Sequence, residues 1–450
     1  MPILYRRCCG IDVHKETVVV CVLPPDGTNG KAIQKTYKTF EQDLIRLRVW
    51  LKQLRVTHFA LESTGVYWIP VWNLLESPAF EMILANPGQV KALQGRKSDQ
   101  RDSRRIAQFL QDDRLDGSFV PPREIRELRI LTRHRVALLE QRNEVHNQIR
   151  DLLETACIKL SSVATDILGV TGMAILKAMA DGIDSPERLS GKARGRLRSR
   201  VGELKEAVRG GIGEFHRRTL KLYLRHYDLL SEQVMELESF IEEKMSPYQE
   251  QIALLNTIPG IEKVTAWSLM AELGPDMSVF PDAEHCASWA GLAPGTHESA
   301  GIQKTGRTKK GNRYLRRVLT QSAWANSHRK QGYLRALFHR IKARRGWGKA
   351  IIAVAHKLIV IVYHMLKDKT PYKELGGDYF DLLNPDRAAR RLTSRLQKIG
   401  FEVTLTRIRP ALPVPEAPWS SASEQPIKRK RGRPRKYLPS EDLNPMSSGV

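Results

Sequence analysis

The spacing of apolar residues changes character along the chain. Cys8–Ile11 and the valine-rich stretch Thr17–Leu23 read as two strands about a turn, and Ala32–Phe40 as a third after the turn at Asp26–Gly30. The period then lengthens: Leu44, Leu47, Leu51 and Leu54 recur at helical spacing within Glu41–Leu54. Short strands at Thr57–Leu61 and Glu81–Ala85 flank a helix near Val66–Leu75, and a helix over Asp99–Leu110 follows. The order β-β-β-α-β-α-β-α predicts an α/β domain over residues 5–120.

Pro121-Pro122 opens a helical region, residues 121–250. Leu131, Leu138, Val145 and Leu152 recur every seven residues, and their companion row Leu128, Arg135, Arg142, Ile149 is half basic. A second helix carries Leu220, Tyr223, Tyr227, Leu230, Val234, Leu237 and Ile241 in unbroken steps of three and four. That is a coiled-coil seam, which needs a partner: the first helix as an antiparallel hairpin, or another subunit. Between the two, Lys192, Arg194, Arg196, Arg198 and Arg200 fall on alternate residues. An extended backbone there would make one cationic edge, and a solvated loop is the alternative. A third, mostly helical region spans 251–385. Residues 386–450 read as linker and disordered basic tail, with proline and serine from Pro410 to Ser423 and then Lys428–Lys436.

Composition sharpens this. The 450 residues carry 73 Lys and Arg against 49 Asp and Glu, a net charge of +24, so a polyanion is the expected partner. No membrane role is expected, because the longest apolar stretch, Ala350–Leu366, is interrupted by His356, Lys357 and His364. The first residues lack a signal-peptide layout, and the five cysteines have no zinc-ligand spacing, so reduced thiols and a cytoplasmic location are expected. Cys21, in a valine-rich run, reads as a small buried hydrophobe.

Against that surplus, four acids stand out. Asp12 closes the first strand, Glu62 closes a later one, and Asp99 and Asp102 share one face of a helix start. The element order is that of a ribonuclease H-like domain, where those strands and that helix converge. Four gathered carboxylates repel one another, and oxygen-only ligation favours Mg²⁺ or Mn²⁺. Two such ions roughly 4 Å apart activate a nucleophile and stabilise a leaving oxygen in phosphodiester chemistry. Each acid also has a simpler reading, as a surface residue or a helix N-terminal carboxylate.

The stretches Gly10-Ile11-Asp12-Val13-His14-Lys15, Leu61-Glu62-Ser63-Thr64-Gly65, Asn86-Pro87 with Val90-Lys91, and Lys97-Ser98-Asp99 with Asp102 resemble the insertion-sequence one-ten family. These are DEDD transposases with an N-terminal RuvC-like domain. The resemblance implies that Asp12, Glu62, Asp99 and Asp102 form a metal-binding tetrad.

A second cluster lies downstream. Ile258-Pro259-Gly260-Ile261, with Ala266 and Leu269, looks like a helix-hairpin-helix, although Glu262 stands where a second glycine is usual. Trp289-Ala290-Gly291-Leu292-Ala293-Pro294 and Glu298-Ser299-Ala300-Gly301 precede a run with seven cations and no acid: Lys304, Arg307, Lys309, Lys310, Arg313, Arg316 and Arg317. Cations beside a serine suit phosphoryl transfer, because they hold the phosphate and its pentacovalent transition state. A serine in a glycine loop is otherwise an ordinary turn residue. Gly-Leu-x-Pro, Glu-Ser-x-Gly and Gly311-Asn312-x-x-Leu315-Arg316 resemble the family's C-terminal transposase domain, which implies that Ser299 is the nucleophile, with Ser288 and Ser322 as poorer candidates. The resemblance spans roughly Arg7 to Leu366.

The tail's Arg431-Gly432-Arg433-Pro434 looks like an AT-hook, in which Arg431 and Arg433 enter an A·T minor groove, with a nonspecific basic tail or fortuitous charge as the alternatives. The resemblance further implies donor and target DNA, a structured guide (bridge) RNA from the element, and composite sites in a dimer or tetramer associated with the nucleoid. Tyr67, Trp68, Trp72 and Trp289 offer stacking surfaces for unpaired bases, or core packing. The expected activity is RNA-guided, Mg²⁺-dependent recombination through a phosphoserine. The alternative is a RuvC-like two-metal nuclease or Holliday-junction resolvase without serine chemistry.

Overall fold

Five strands form one mixed sheet: β1 (Cys8–Val13), β2 (Thr17–Val22), β3 (Ile33–Lys38), β4 (His58–Glu62) and β5 (Glu81–Ala85), in the order β3-β2-β1-β4-β5. The computed structural model describes residues 5, 7–24, 32–62, 65–85, 99–115, 117–295, 297–299, 302–305, 307–308 and 310–406, with the backbone alone for 99–100, 297–299 and 302–305. β1 pairs antiparallel with β2 and parallel with β4, and every residue of β1 is buried. A central strand covered on both faces shows no in-out alternation, hence its run of Cys, Gly, Ile and Val.

On one face, α1 (Glu41–Gln53) and α2 (Trp68–Leu75) press Leu44, Leu47, Leu51, Val71 and Leu75 against Ile11, Val13, Phe59 and Leu61. On the other, α3 (Asp99–Gln111) sets Ile106, Ala107 and Leu110 against Cys8, Cys21 and Ala60. Cys21 is buried as expected. The chain leaves the sheet edge where Ser118 donates to the Leu84 carbonyl at 2.7 Å. α4 (Arg123–Thr155) then starts, clamped to α2 by the buried Arg126, whose Nη2 donates to Glu76 and Asn73, each at 2.7 Å.

α4 runs antiparallel to α6 (Glu214–Lys244): Arg135 pairs with Glu238, while Arg142 lies 5.7 Å over the Tyr227 ring. The seam of α6 therefore finds its partner within the chain. Leu220, Leu230, Val234 and Ile241 are buried, and the two arginines that made the α4 row half basic meet an acid and an aromatic face. Each buried leucine in such a seam contributes about 1.5–3 kcal/mol. α5 (Val170–Ala180) completes this core with Ile175, Leu176 and Met179. The alternating arginines form no extended edge. Gly195–Arg200 is a 3₁₀ helix, entered through Gly195 at φ +55°, and Arg200 turns back onto Glu203 and the Val163 carbonyl.

The C-terminal helices are α7 (Gln249–Asn256), α8 (Lys263–Leu273), α9 (Ala283–Trp289), α10 (Arg313–Ser327), α11 (Tyr333–Arg345), α12 (Trp347–Asp368) and α13 (Pro385–Lys398), with a hairpin of β6 (His297–Ser299) and β7 (Ile302–Thr305) before α10. α12 is the one described helix long and apolar enough to cross a membrane, and Val354, Ala355, Leu358, Ile361 and Val362 bury it in this core. Ile125 and Leu128 of α4 belong to the same core. The α7–α8 turn is committed to packing: Asn326 of α10 donates to the Pro259 carbonyl at 2.6 Å. The segment expected to be linker from 386 onward begins instead with α13, which Asn384 caps by accepting from Arg387 N–H at 3.2 Å. Arg431, Arg433 and the AT-hook-like stretch lie outside the described residues.

Candidate active site

Side chains alternate across a strand, so Asp12 shares a face with Gly10, and Glu62 with Ala60. The parallel register pairs Gly10 with Ala60 and Ile11 with Leu61, which sets Asp12 and Glu62 level on neighbouring strands. Both face the side of the sheet that α3 covers. Asp12 is only 7% exposed, and its Oδ2 lies 3.2 Å from His14 Nε2.

Gly10 explains how α3 gets there. A Cβ at this position would stand 2.1 Å from the Ser103 carbonyl oxygen and 2.4 Å from the Ala107 nitrogen, so the helix lies directly on the strand's backbone. Asp102 precedes Ser103 in that helix, is partly buried, and pairs loosely with Arg105 at 3.8 Å. The Asp99 side chain lies outside the described residues. Among the described residues, no three acidic, histidine or cysteine side chains gather about one point.

The serine region is organised by two glycines. A Cβ on Gly311 would meet the Gly291 nitrogen at 2.3 Å and the Trp289 carbonyl at 2.6 Å, so the Trp-Ala-Gly-Leu and Gly-Asn motifs lie backbone against backbone. Asn312 N–H donates to that Trp289 carbonyl at 3.0 Å, and its side chain caps α10 by accepting from Tyr314 and Leu315. Between these motifs β6 and β7 pair antiparallel, with Ser299 opposite Ile302. The Ser299 and Lys304 side chains and all of Lys309 lie outside the described residues, whereas Ser322 is buried in α10 and Ser288 is half-buried in α9.

The cations of the run divide into two groups. Arg307, Lys310 and Arg313 are exposed. Arg316 instead holds the scaffold, donating at 2.6 Å to both the Gly291 carbonyl and Thr308 Oγ1, and Arg317 pairs with Glu140 of α4.

Sequence reading missed Glu272. This α8 carboxylate is 2% exposed and accepts from Arg133 at 2.8 and 2.9 Å and from Asn312 Nδ2 at 2.5 Å, with Arg129 at 3.6 Å. Burial brings the Arg129 guanidinium down to about 10, against the pull of Glu272. A lone Glu inside an apolar helix, Leu269–Leu273, was the one signal available. Trp289 and Trp72 are core residues rather than base platforms: Trp289 packs on Phe119 and Phe280, and Trp72 on Trp68. Tyr67 alone of the four is exposed.

The strand-end acids and the hairpin with its cations lie in the two stretches of the chain that known transposases share. Residues 9–158 match the DEDD transposase domain of the IS110 type, and residues 252–339 match the Transposase IS116/IS110/IS902 family. The chain belongs to the IS110 family of insertion-sequence transposases. It is 28% identical over 300 residues to an insertion element IS116 protein of Streptomyces clavuligerus, covering 61% of this chain and 72% of that one. It is 24% identical to the pilin gene-inverting protein of Moraxella lacunata, covering 81% of this chain and 96% of that one. An insertion element IS110 protein of Streptomyces coelicolor is 34% identical over 27% of this chain and 30% of its own length.

Proposed function

We propose that the chain is a site-specific, RNA-guided recombinase that moves or inverts its element through a phosphoserine intermediate at Ser299. The observation that carries this reading is the level placement of Asp12 and Glu62 on adjacent parallel strands, on the face that α3 brings Asp102 toward. With that geometry the N-terminal region is read as RuvC-like, followed by a helical spacer and a serine domain whose core also takes in the first turns of α4.

Asp12, Glu62, Asp99 and Asp102 would hold Mg²⁺ or Mn²⁺, because their donor set is oxygen only and Asp12 is withdrawn from water. When bound, the ions supply Lewis-acid stabilisation of the charge developing on the phosphate. Ser299 Oγ attacks the scissile phosphorus: the Oγ–P bond forms, a DNA P–O bond breaks, and the released DNA hydroxyl takes up the serine's proton. A hydroxyl from the partner strand then attacks the phosphoserine and restores Ser299. Arg307, Lys310 and Arg313 are exposed to bind the backbone. Guidance by RNA rests on the family resemblance and on the charge of +24, which suits an RNA and two duplexes. Pairing of one subunit's acids with another's serine, in a dimer or tetramer, rests on the same resemblance.

The test incubates the protein with RNA from the element's flank, donor and target DNA, and Mg²⁺, and looks for DNA covalently attached to protein. Ser299→Ala abolishes the adduct and Asp12→Asn abolishes cleavage. Cleavage by Ser299→Ala with no adduct in the wild type would establish the metal-nuclease alternative instead.

A further inference from the structure

The end of α11 and the helix α13 form a cationic surface beyond the second matching domain, whose match ends at residue 339. Arg340 to Lys349 holds five cations, Arg340, Lys342, Arg344, Arg345 and Lys349, and no acid. α13 adds Arg387, Arg390, Arg391, Arg395 and Lys398 against the single acid Asp386. The short helix Tyr379–Leu382 links the two: Tyr333 of α11 stacks on its Phe380 at 5.5 Å, the Arg340 guanidinium lies 5.0 Å over the same ring, and Arg391 of α13 pairs with its Asp381.

That packing sets like charges side by side. Burial, then the neighbouring guanidiniums of Arg344, Arg387 and Arg391, hold Arg340 below its usual value. Elsewhere the chain pairs its helical cations with acids, as in Arg135–Glu238 and Arg218–Glu214. Here cations outnumber acids, and Arg391 pairs with Asp381 at 3.0 Å. A rigid cluster of guanidiniums costs folding energy unless a polyanion neutralises it. Arginine, planar and always charged, suits phosphate.

We propose that Arg340, Arg344, Arg387 and Arg391 form a docking surface for the phosphate backbone of duplex DNA flanking the recombining sequence. The proposal rests on the transposase reading above and adds a second contact to it. Duplex DNA is favoured because the chain runs on from α13 to Arg431-Gly432-Arg433-Pro434, whose composition fits an A·T minor groove.

The test measures binding of the full chain to a labelled duplex of arbitrary sequence across a salt series, beside an Arg344→Gln/Arg387→Gln double variant. Each phosphate contact contributes a slope of about 0.9 in log affinity against log salt. The variant is therefore expected to lose roughly tenfold in affinity near 0.1 M salt and about two units of slope. Its melting temperature should hold or rise, because repulsion is relieved. The charge-keeping Arg344→Lys/Arg387→Lys chain should bind as the wild type does. Unchanged duplex affinity and slope in the Gln variant would overturn the proposal. So would a loss confined to a single-stranded RNA probe, or a Lys variant that binds as poorly as the Gln one. Covalent adduct formation at saturating DNA reads the serine chemistry separately, so a wild type that binds duplex but forms no adduct counts against that chemistry alone.

Discussion

Asn312 Nδ2 donates to Glu272 Oε2 at 2.5 Å, while the same side chain's oxygen caps α10. One amide thus fixes the start of the helix behind the serine hairpin and satisfies a buried carboxylate that also receives Arg133. Aspartate caps helices as well as asparagine does, but here it would set a second carboxylate against Glu272. Asn312→Asp is therefore expected to be more destabilising than Asn312→Ala, which loses about 1 kcal/mol of capping. Denaturant unfolding checks this, and the aspartate variant should recover as pH falls and one carboxylate takes a proton. An Asn312→Asp chain as stable as wild type at neutral pH would remove the amide's role.

Removing the carboxylate itself leaves Arg129 and Arg133 without their common anion. Glu272→Ala is expected to lose about 3–5 kcal/mol, the usual cost of breaking a buried pair from one side. Loss of less than about 1 kcal/mol in urea unfolding, the range of an exposed pair, would contradict this assignment.

Gly10 and Gly202 offer a matched comparison. A methyl at Gly10 meets the backbone of α3, whereas at Gly202 nothing lies within 4 Å. Gly10→Ala should cost about 3 kcal/mol or more, the upper end of overpacking, and abolish DNA cleavage by lifting Asp102 away from Asp12. Gly202→Ala, inside the short helix Val201–Ala207, should be neutral or slightly stabilising. Equal melting temperatures for the two variants would show that α3 does not rest on Gly10.

The thiols make a prediction about pH. Cys8, Cys9, Cys21 and Cys286 are buried and Cys157 is exposed. Burial raises Cys8 and Cys286 to about 12, and raises Cys9 as well. A raised thiol pKa contributes stability below the unfolded value of about 8.5 and loses it as pH climbs toward the folded value. Maleimide should therefore label one cysteine per native chain near neutral pH and all five after denaturation. Stability should decline from about pH 9 upward. Labelling of more than one thiol in the native chain would place a second cysteine at the surface.

Much of this was legible because it is local. The seam of α6 needs only Leu, Tyr and Val at three- and four-residue steps, and a helix follows from that spacing whatever its partner. Asp12 and Glu62 could be ordered along strands because the short apolar runs Cys8–Ile11 and Phe59–Leu61 lead into them. The alternating arginines left an extended edge and a solvated loop open, because a period of two does not fix the backbone, and Gly195 at positive φ tightens it into a 3₁₀ helix. α13 was overlooked because proline-rich sequence follows it, although Asn384-Pro385 is a helix start and Leu392, Leu396 and Ile399 keep helical spacing. Glu272 stands out in sequence only as a lone acid in the apolar stretch Leu269–Leu273, and its role does not, because its partner Arg133 lies 139 residues away in the chain.

α4 has a consequence for how such a protein can be divided or recombined over evolutionary time. Its first turns give Ile125 and Leu128 to the C-terminal core, and its later turns give Leu138, Val145 and Ile149 to the spacer core. A cut near residue 250 would separate the serine hairpin from residues that its own hydrophobic interior contains, and would strip Glu272 of Arg133. The serine half is therefore not a portable module. It can be inherited, or grafted into another enzyme, only together with the helix that begins at Arg123.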